Sequence, residues 1–250
     1  MKAIMKPVLS ALLIVLSCTS AHATPAYLSA LGTVSATTVT VTSRLDGQLI
    51  SVNFKEGQLV QEGQLLAKID GAVYRLQLLE AQSRLALDQT QLDAATAKQD
   101  SPPAQIAQLK DILQIDRAKV ELAQHQLSYA DVAAPITGVA GFRLVDVGNF
   151  VHSGERLVVI NQPQPIAVVF NVPQDVLPEI LKRLRTGESW TVELWNRQGT
   201  ERIATGRMDA VDNQIDPTTG AVKLKAMFEN KNGALFPNDF VNVRLFLNTQ

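Results

Sequence analysis

Residues 46–69 read DGQLISVNFKEGQLVQEGQLLAKI, and residues 137–160, exactly 91 positions later, read TGVAGFRLVDVGNFVHSGERLVVI. In both stretches the glycines are ten and then six residues apart. The glycines of this repeat are Gly47, Gly57, Gly63, Gly138, Gly148 and Gly154. Each stretch alternates short apolar segments with glycine turns, where the backbone takes positive φ. We expect all six glycines to be structural turn residues in two similar β-halves.

The repeated register resembles the biotinyl/lipoyl-domain fold, in which two similar four-stranded halves interlock into a flattened β-sandwich. Carrier domains of that family bear a modified lysine on the hairpin that joins the halves. Here Asp70-Gly71-Ala72-Val73 follows the first half without a lysine, and the second half begins only at Ala134. The resemblance therefore implies a split sandwich, with halves at 44–70 and 134–162, that is not a swinging-arm carrier and needs no cofactor.

The insert between the halves, residues 71–133, has a seven-residue period. Its repeating apolar positions are Leu78, Leu85 and Leu92, then Ile106, Leu113, Val120 and Leu127. This spacing is typical of coiled-coil helices. Ser101-Pro102-Pro103 separates the two runs, because proline cannot donate the helical hydrogen bond. The pattern predicts an antiparallel coiled-coil hairpin roughly 40 Å long.

Asp88 and Asp116 occupy seam positions where leucine would be expected. Two explanations are open. Each aspartate lies at the edge of the seam and reaches water, or the two specify helix register or a contact with another subunit, as polar seam residues do elsewhere. His125 and His152 have no second metal ligand at a suitable spacing in the sequence, so we expect solvated histidines and no metal site.

The C-terminal third returns to a strand pattern. Five β-rich segments lie within residues 163–250, interrupted by a short helix predicted from Pro173 to Leu184. Residues 28–43 supply at least one further strand ahead of the sandwich. Together these segments predict a six-stranded antiparallel β-barrel with one short helix, and the whole fold is expected to be mainly β with an α-helical hairpin.

Residues 1–23 have the layout of a secretory signal peptide. Lys2 and Lys6 precede an apolar run that is too short to span a bilayer, and Ala21-His22-Ala23 provides a small-x-small cleavage site. Cys18, the only cysteine, follows a sequence that resembles a bacterial lipobox, so lipidation at Cys18 is a second possibility. Either outcome leaves the exported chain without a disulfide or a cysteine nucleophile.

Composition excludes several classes of function. Removal of the signal takes the formal charge from -1 to -3, and aromatic residues make up only 5%, so nucleic acid is not an expected partner. No run of eighteen apolar residues follows the signal, so membrane association requires a lipid anchor or a protein partner. The common hydrolase, phosphate-binding and zinc-protease motifs are absent, and we expect no catalytic residues.

Seven segments, in order, carry a closer resemblance. They are Leu31–Val34, Val41–Leu49, Phe54–Gln58, Ala134–Gly138, Val145–Asn149, Asp212–Gly220 and Leu235–Val241. These segments resemble the periplasmic adaptor, or membrane-fusion, subunits of RND-type tripartite multidrug efflux pumps, in particular the MdtA-like branch. The resemblance covers nearly all of the chain that follows the signal.

The resemblance implies a Gram-negative periplasmic protein, associated with the inner membrane, that exports drugs by scaffolding. Its barrel would contact an inner-membrane RND transporter, its hairpin tip a TolC-type outer-membrane channel, and its sandwich and barrel would form a homo-oligomeric ring, from trimer to hexamer. The candidate tip residues are Gln99, Asp100, Ser101, Pro102, Pro103 and Gln105.

This chain departs from the branch in two places. No membrane-proximal domain is expected after the last predicted barrel strand of this sequence, and the predicted tip lacks the Arg, Leu and Ser motif by which such hairpins bind TolC-type channels. A truncated or split adaptor with a different partner is therefore an alternative. A heavy-metal efflux adaptor is another, although Met208 and Met227 stand alone.

Overall fold

A computed structural model describes residues 27–98, 101–187 and 190–246. The predicted signal peptide, Cys18, Gln99 and Asp100 lie outside the described residues. The strands are β1 (Tyr27–Thr42), β2 (Gly47–Val52), β3 (Leu59–Val60), β4 (Leu65–Ile69), β5 (Asp131–Ala133), β6 (Gly138–Arg143), β7 (Phe150–Val151), β8 (Arg156–Pro173), β9 (Thr191–Trp195), β10 (Arg202–Asp216), β11 (Ala221–Phe228) and β12 (Phe240–Phe246). The helices are α1 (Ala72–Ala97), α2 (Pro103–Ser128) and α3 (Leu177–Thr186).

The two repeated stretches interlock into the predicted sandwich. One sheet has the order β5-β4-β2-β7, and the other joins β3 and β6 to the adjoining parts of β8 and β1. Because β2 pairs with β7 and β3 pairs with β6, each half completes the sheets of the other. Buried apolar side chains fill the space between the sheets, among them Leu49, Val60, Leu66, Val151 and Ile160.

The six repeat glycines serve two different purposes. Gly57, Gly63, Gly148 and Gly154 take positive φ in turns, as predicted. Gly47 and Gly138 do not: they begin β2 and β6, so the expectation of turn glycines is wrong for these two. A methyl group on Gly138 would lie 2.6 Å from the Asn161 carbonyl oxygen, and one on Gly47 would lie 2.8 Å from Ile69 Cγ2. Close packing, not backbone conformation, requires glycine at both positions.

Two long strands belong to the sandwich and the barrel at once. β1 pairs with β12 through Tyr27–Thr33 and with β8 through Gly32–Thr42. β8 in turn pairs with β6 near its start and with β11 from Ile166 to Pro173. Residues 37–42, which the sequence pattern groups with the barrel, therefore pair opposite residues 156–162 of the sandwich. The pairing of β1 with β8 is interrupted between Ser35 and Thr37, where residues 163–166 of β8 have no partner in β1, but both strands run through the two units and join them.

The barrel is a closed ring of six antiparallel strands. The order β1-β12-β9-β10-β11-β8 returns to β1, which confirms the predicted barrel. Its interior is apolar, with Phe170, Leu194 and Leu224 among the fully buried side chains. α3 packs on this core through Ile180, which is completely buried. The helix begins later than predicted, because Pro173 still pairs with Ala221 in the sheet.

The insert forms the predicted antiparallel hairpin. Each arm is 26 residues long, about 39 Å at 1.5 Å per residue. Pro103 is the first residue of α2, where its missing N–H costs no helical hydrogen bond. Leu113, Ala95 and Ala123 are buried in the seam. The second arm ends at Ser128, and β5 then pairs with β4, so residues 131–133 complete the sandwich sheet.

We expect Gly138→Ala to lower the free energy of unfolding by about 1–3 kcal/mol, the usual cost of overpacking. The added methyl group would meet backbone atoms of Asn161, which cannot move aside cheaply. Gly57→Asn is the matched control, because Gly57 has positive φ and open space around it, and asparagine tolerates that conformation at a cost below about 1 kcal/mol. Denaturant titration of the full chain measures both variants, and equal losses would contradict the steric role of Gly138.

Candidate functional site

His125 and His152 are the histidines in the part of the chain that the structure describes, and neither belongs to a cluster of metal-ligating side chains. Among the described residues, no group of three or more histidine, cysteine or acidic side chains is placed to hold a metal ion. His125 is exposed and hydrogen-bonds through Nε2 to the Tyr129 hydroxyl at 2.8 Å. His152 is also exposed, with Nδ1 3.6 Å from Asp46 Oδ1. The sequence alone did not suggest that second contact, because more than a hundred residues separate its partners.

A groove runs along one face of the hairpin, between its two arms. Its volume is about 730 Å³, and small residues, Ala81 and Ala123, lie between the arms at this face. Leu87 and Leu122 line the groove and remain 51% and 59% exposed. Polar and charged side chains, among them Glu80, Arg84 and Lys119, surround these apolar residues. A groove with exposed leucines at its centre is suited to receive another helix, because helices bind in grooves through evenly spaced apolar side chains. We call this surface the hairpin groove.

The apolar surface continues along both arms. In an α-helix, residues eleven apart differ by only about 20° around the axis, and so do residues seven apart. Leu76 therefore lies in line with Leu87, and Ile115 with Leu122, at exposures of 66% and 57%. The many glutamines of the two arms conceal these residues in the sequence. Leucines that fall outside the heptad seam are the sequence signal that could have revealed them.

The two seam aspartates are buried. Asp88 and Asp116 are each only 2% exposed, so the explanation in which they lie at the edge of the seam and reach water is wrong. Arg84 Nε lies 2.9 Å from Asp88 Oδ2, and Lys119 Nζ lies 2.9 Å from Asp116 Oδ1. The hydrogen bond from the Lys119 ammonium group is the main reason that the pKa of Asp116 is held below its usual value. Arg84 and Lys119 also line the hairpin groove.

The base of the hairpin is fastened to the sandwich on several sides. The guanidinium of Arg44 lies over the ring of Tyr129, 4.9 Å from its centroid, a favourable cation–π arrangement. The Ile69 amide donates to the Ala130 carbonyl at 2.8 Å. Gly71 allows the arms to converge, since a methyl group there would lie 3.0 Å from Leu127 Cδ1. These contacts set the direction in which the hairpin leaves the sandwich.

The described part of the predicted tip is exposed apart from one residue. Pro102, Pro103 and Gln105 are exposed, whereas Ser101 is half-buried. The Ser101 hydroxyl donates to the Ala95 carbonyl at 2.6 Å, which connects the turn to the end of the first arm. Gln99 and Asp100 lie outside the described residues. A role for the tip in binding a channel stays a prediction.

The outer face of the barrel carries a second group of aromatic and charged residues. The Arg244 guanidinium lies between two rings, 3.7 Å from the centroid of Trp195 and 4.9 Å from that of Tyr27. Glu193 accepts from Arg202 at 2.7 Å and from the Trp195 indole at 3.1 Å. Exposed apolar side chains also occur on this domain, namely Leu31, Phe236 and Phe240. The barrel thus offers a surface for a partner that is separate from the hairpin.

The turn between β10 and β11 is stabilised by its first residue. The Thr218 amide donates to Asp216 Oδ1 at 2.8 Å, and Gly220 closes the turn with φ +63. This hydrogen bond from Thr218 is the main reason that the pKa of Asp216 is lowered. The carboxylate is therefore used within the turn, which gives this exposed end of the β-hairpin a defined shape.

No helix in residues 27–98, 101–187 or 190–246 is both long and apolar enough to cross a bilayer.

Curated relatives share this chain's sequence over most of its length. The multidrug resistance protein MdtA of Cronobacter turicensis is 41% identical over 249 residues, which cover 92% of this chain and 60% of the relative. The MdtA of Pectobacterium atrosepticum is 42% identical over 251 residues, covering 92% of this chain and 61% of the relative. The chain therefore spans about three fifths of the length of these proteins.

Solved structures share the fold at low sequence identity. A MacA-MexA chimeric protein that contains the Pseudomonas aeruginosa MexA α-hairpin domain aligns with a TM-score of 0.75 and 20% identity, covering 90% of this chain and 82% of that one. The membrane fusion protein Spr0693 from Streptococcus pneumoniae R6 aligns with a TM-score of 0.69 and 18% identity, covering 89% of this chain and 100% of that one.

Two family models match the units seen in the structure. The barrel-sandwich hybrid domain of RND membrane fusion proteins matches residues 37–162, and the β-barrel domain of RND membrane fusion proteins matches residues 165–249. The first match begins at residue 37, just after the register shift between Ser35 and Thr37 in the pairing of β1 with β8. With the sandwich, its helical insert and the barrel matched in order, the chain belongs to the family of RND membrane fusion proteins.

Proposed function

We propose that this chain is a periplasmic adaptor that connects an inner-membrane RND transporter to a TolC-type outer-membrane channel and serves the export of drugs or other small toxic compounds. It acts as a scaffold and not as an enzyme. The observation that carries this proposal is the hairpin, about 39 Å long, which is fastened at its base to the sandwich and exposes leucines in a groove between its arms. The relatives named multidrug resistance protein supply the class of exported compound.

The hairpin and the barrel carry separate exposed surfaces, and this supports an adaptor that binds one partner at each end. The hairpin extends from the sandwich and carries exposed leucines, whereas the barrel carries the aromatic and charged group around Arg244. A protein that bridges two partners needs separate contact surfaces joined by a stiff connection. The continuous strands β1 and β8 provide that connection between the barrel and the sandwich that bears the hairpin.

The same features support assembly into a ring of several copies, from trimer to hexamer. A soluble chain leaves large exposed apolar patches mainly where another molecule binds. On the hairpin, Leu76, Leu87, Ile115 and Leu122 are all more than half exposed. Side-by-side packing of hairpins around a common axis would bury these side chains and form the wall of a duct. Lipidation at Cys18 would add an anchor at the inner membrane and stays a prediction.

Replacing Leu87 and Leu122 together with serine should abolish drug resistance in a strain whose growth in the drug depends on this protein. Both side chains are mostly exposed, so the free energy of unfolding should change by no more than about 0.5 kcal/mol. Growth at increasing drug concentration and thermal unfolding of the purified chain measure the two effects. The matched control replaces Gln82 and Gln124, which are exposed residues of the same arms, with serine and should retain resistance.

A photo-crosslinking amino acid at position 122 should capture a second copy of the chain or an outer-membrane channel subunit in living cells. The control position is Gln82, which lies about 140° around α1 from Leu87 and is exposed. Mass spectrometry of the crosslinked bands identifies the partner. If a folded and exported protein yields only monomer from position 122, or the same products from position 82, the hairpin groove is not a partner surface.

A further inference from the structure

A cleft of about 380 Å³ opens on the side of the sandwich where the edges of its two sheets face each other. One wall is the end of β1, residues 39–42, and the other is β5 with the two residues that follow it, residues 131–135. Arg44 and Tyr129 line the cleft next to the base of the hairpin. Its volume lies within the range of roughly 300–1,000 Å³ that is usual for ligand sites. We call this surface the edge cleft.

Both walls of the edge cleft are unpaired edges of β-strands. Over residues 37–42, β1 pairs with β8 and with no second described strand, since its pairing with β12 ends at Thr33. β5 is the outermost strand of the four-stranded sheet, and β4 is its one partner in the part of the chain that the structure describes. The edge of a sheet presents a row of free backbone N–H and C=O groups. The cleft is therefore lined by groups that match the backbone of another strand.

The hydrogen bonds of Ser43 indicate which backbone groups of β1 face the cleft. The Ser43 amide donates to the Glu155 carbonyl, and the Ser43 carbonyl accepts from the Gly154 amide, both at 2.8 Å. Neighbouring residues of an extended strand direct their backbone groups to opposite sides. Thr42, and by the same alternation Thr40, therefore directs its N–H and C=O away from β8. Both threonines line the edge cleft.

This part of β1 lacks the residues that usually protect an exposed strand edge. Residues 36–42 read ATTVTVT, with no charged residue and no proline. Lysine and proline are common on natural edge strands, where they prevent pairing with another chain. Threonine and valine instead favour β-structure. The composition of this edge is therefore suited to pair with an added strand.

The two walls leave room for one extended chain and not for the edge of a second folded sheet. Hydrogen-bonded strands lie about 4.8 Å apart, and sheets packed face to face lie about 10 Å apart. A single strand placed between the edges of two such sheets is therefore within hydrogen-bonding distance of both. Its inward side chains would pack on Val41 and Val132, which line the cleft and belong to the buried core of the sandwich.

Arg44 supplies a positive charge beside the cleft. Its guanidinium lies 4.9 Å from the centroid of the Tyr129 ring and, in the described part of the chain, forms no ion pair with a carboxylate. The Tyr129 hydroxyl is itself hydrogen-bonded to His125 Nε2, so the ring that holds the cation is fixed. Asp131, the carboxylate of the opposite wall, already pairs with Lys68 at 3.0 Å. A negative charge on the ligand would therefore be complementary to Arg44.

We propose that the edge cleft binds an extended segment of a partner protein, which adds a strand to β1 and pairs an acidic side chain with Arg44. In strand addition, main-chain hydrogen bonds supply affinity and alternate side chains supply specificity. Antiparallel pairing is slightly more stable than parallel pairing. It places the N-terminal end of the segment next to Arg44, because β1 leaves the cleft in that direction. The site is separate from the hairpin groove, so it does not rest on the proposed adaptor role.

The probe is an acetylated and amidated hexapeptide, Glu-Val-Thr-Val-Thr-Val, added to the full chain at up to about 1 mM. Because main-chain groups supply the affinity, the natural sequence of the partner segment is not required. Residue-resolved hydrogen exchange should slow by at least about tenfold at the amides of Thr40 and Thr42 when the peptide saturates the chain. The control is the same peptide with N-methyl groups on alternate amides, which removes donors and keeps the side chains, and it should leave these exchange rates unchanged.

Arg44→Gln tests the charged end of the site. The dissociation constant of the hexapeptide, measured by fluorescence anisotropy with a labelled form, should rise about threefold to fivefold in this variant. A hexapeptide that begins with glutamine should bind both forms of the chain equally, which separates the lost ion pair from any change at the base of the hairpin. Arg156→Gln, an exposed arginine at the start of β8, is the matched control and should bind like the wild type.

Three results would overturn the proposal. The first is unchanged exchange at Thr40 and Thr42 with the hexapeptide at its highest concentration, and the second is equal protection by the N-methylated peptide. The third is slower exchange at these two residues when only the concentration of the chain is raised, since a second copy would then be the occupant. None of these measurements involves a transporter or a channel, so a failure here leaves the adaptor role as it stands.

Discussion

The antiparallel pairing of β1 with β8 is the contact on which the rest of this structure depends. One strand is 16 residues long and the other 18, and together they close the barrel at one end and form part of the sandwich at the other. Backbone hydrogen bonds along this ladder resist bending better than a flexible linker would. Since the hairpin is fastened to the sandwich by Arg44, Tyr129 and Gly71, a force on the hairpin is transmitted through this ladder to the barrel.

The split of the sandwich explains how one small domain supports so long an insert. Both sheets combine strands from the two halves, because β5 and β7 flank β4 and β2 in one sheet and β3 pairs with β6 in the other, so neither half has a complete core of its own. The helices leave after β4 and return before β5, and these strands pair directly with each other. Their pairing brings the two ends of the hairpin together whatever the length of the arms. A scaffold of this kind accepts variation in the hairpin without loss of the fold.

The same turns of the hairpin contain its buried ion pairs and part of the surface of the groove. Arg84 and Lys119 form ion pairs with the buried seam aspartates, and both cations also line the hairpin groove. A partner that packs in the groove therefore also covers these two cations. Covering those cations removes water from their ion pairs and strengthens them.

Periodicity and glycine spacing determined the architecture: the split sandwich, the heptad hairpin and the six-stranded barrel could all be predicted, because each is set by repeating patterns along the chain. The sequence also marked Asp88 and Asp116 as exceptions in the seam. Only the tertiary structure decided that both are buried, that Gly47 and Gly138 are needed for close packing, and that Leu87 and Leu122 share one groove. The reason is that burial, steric contact and exposure depend on which residues distant in the sequence come together. A local pattern determines which side chains share a face of a helix or strand, but it does not determine what packs against that face.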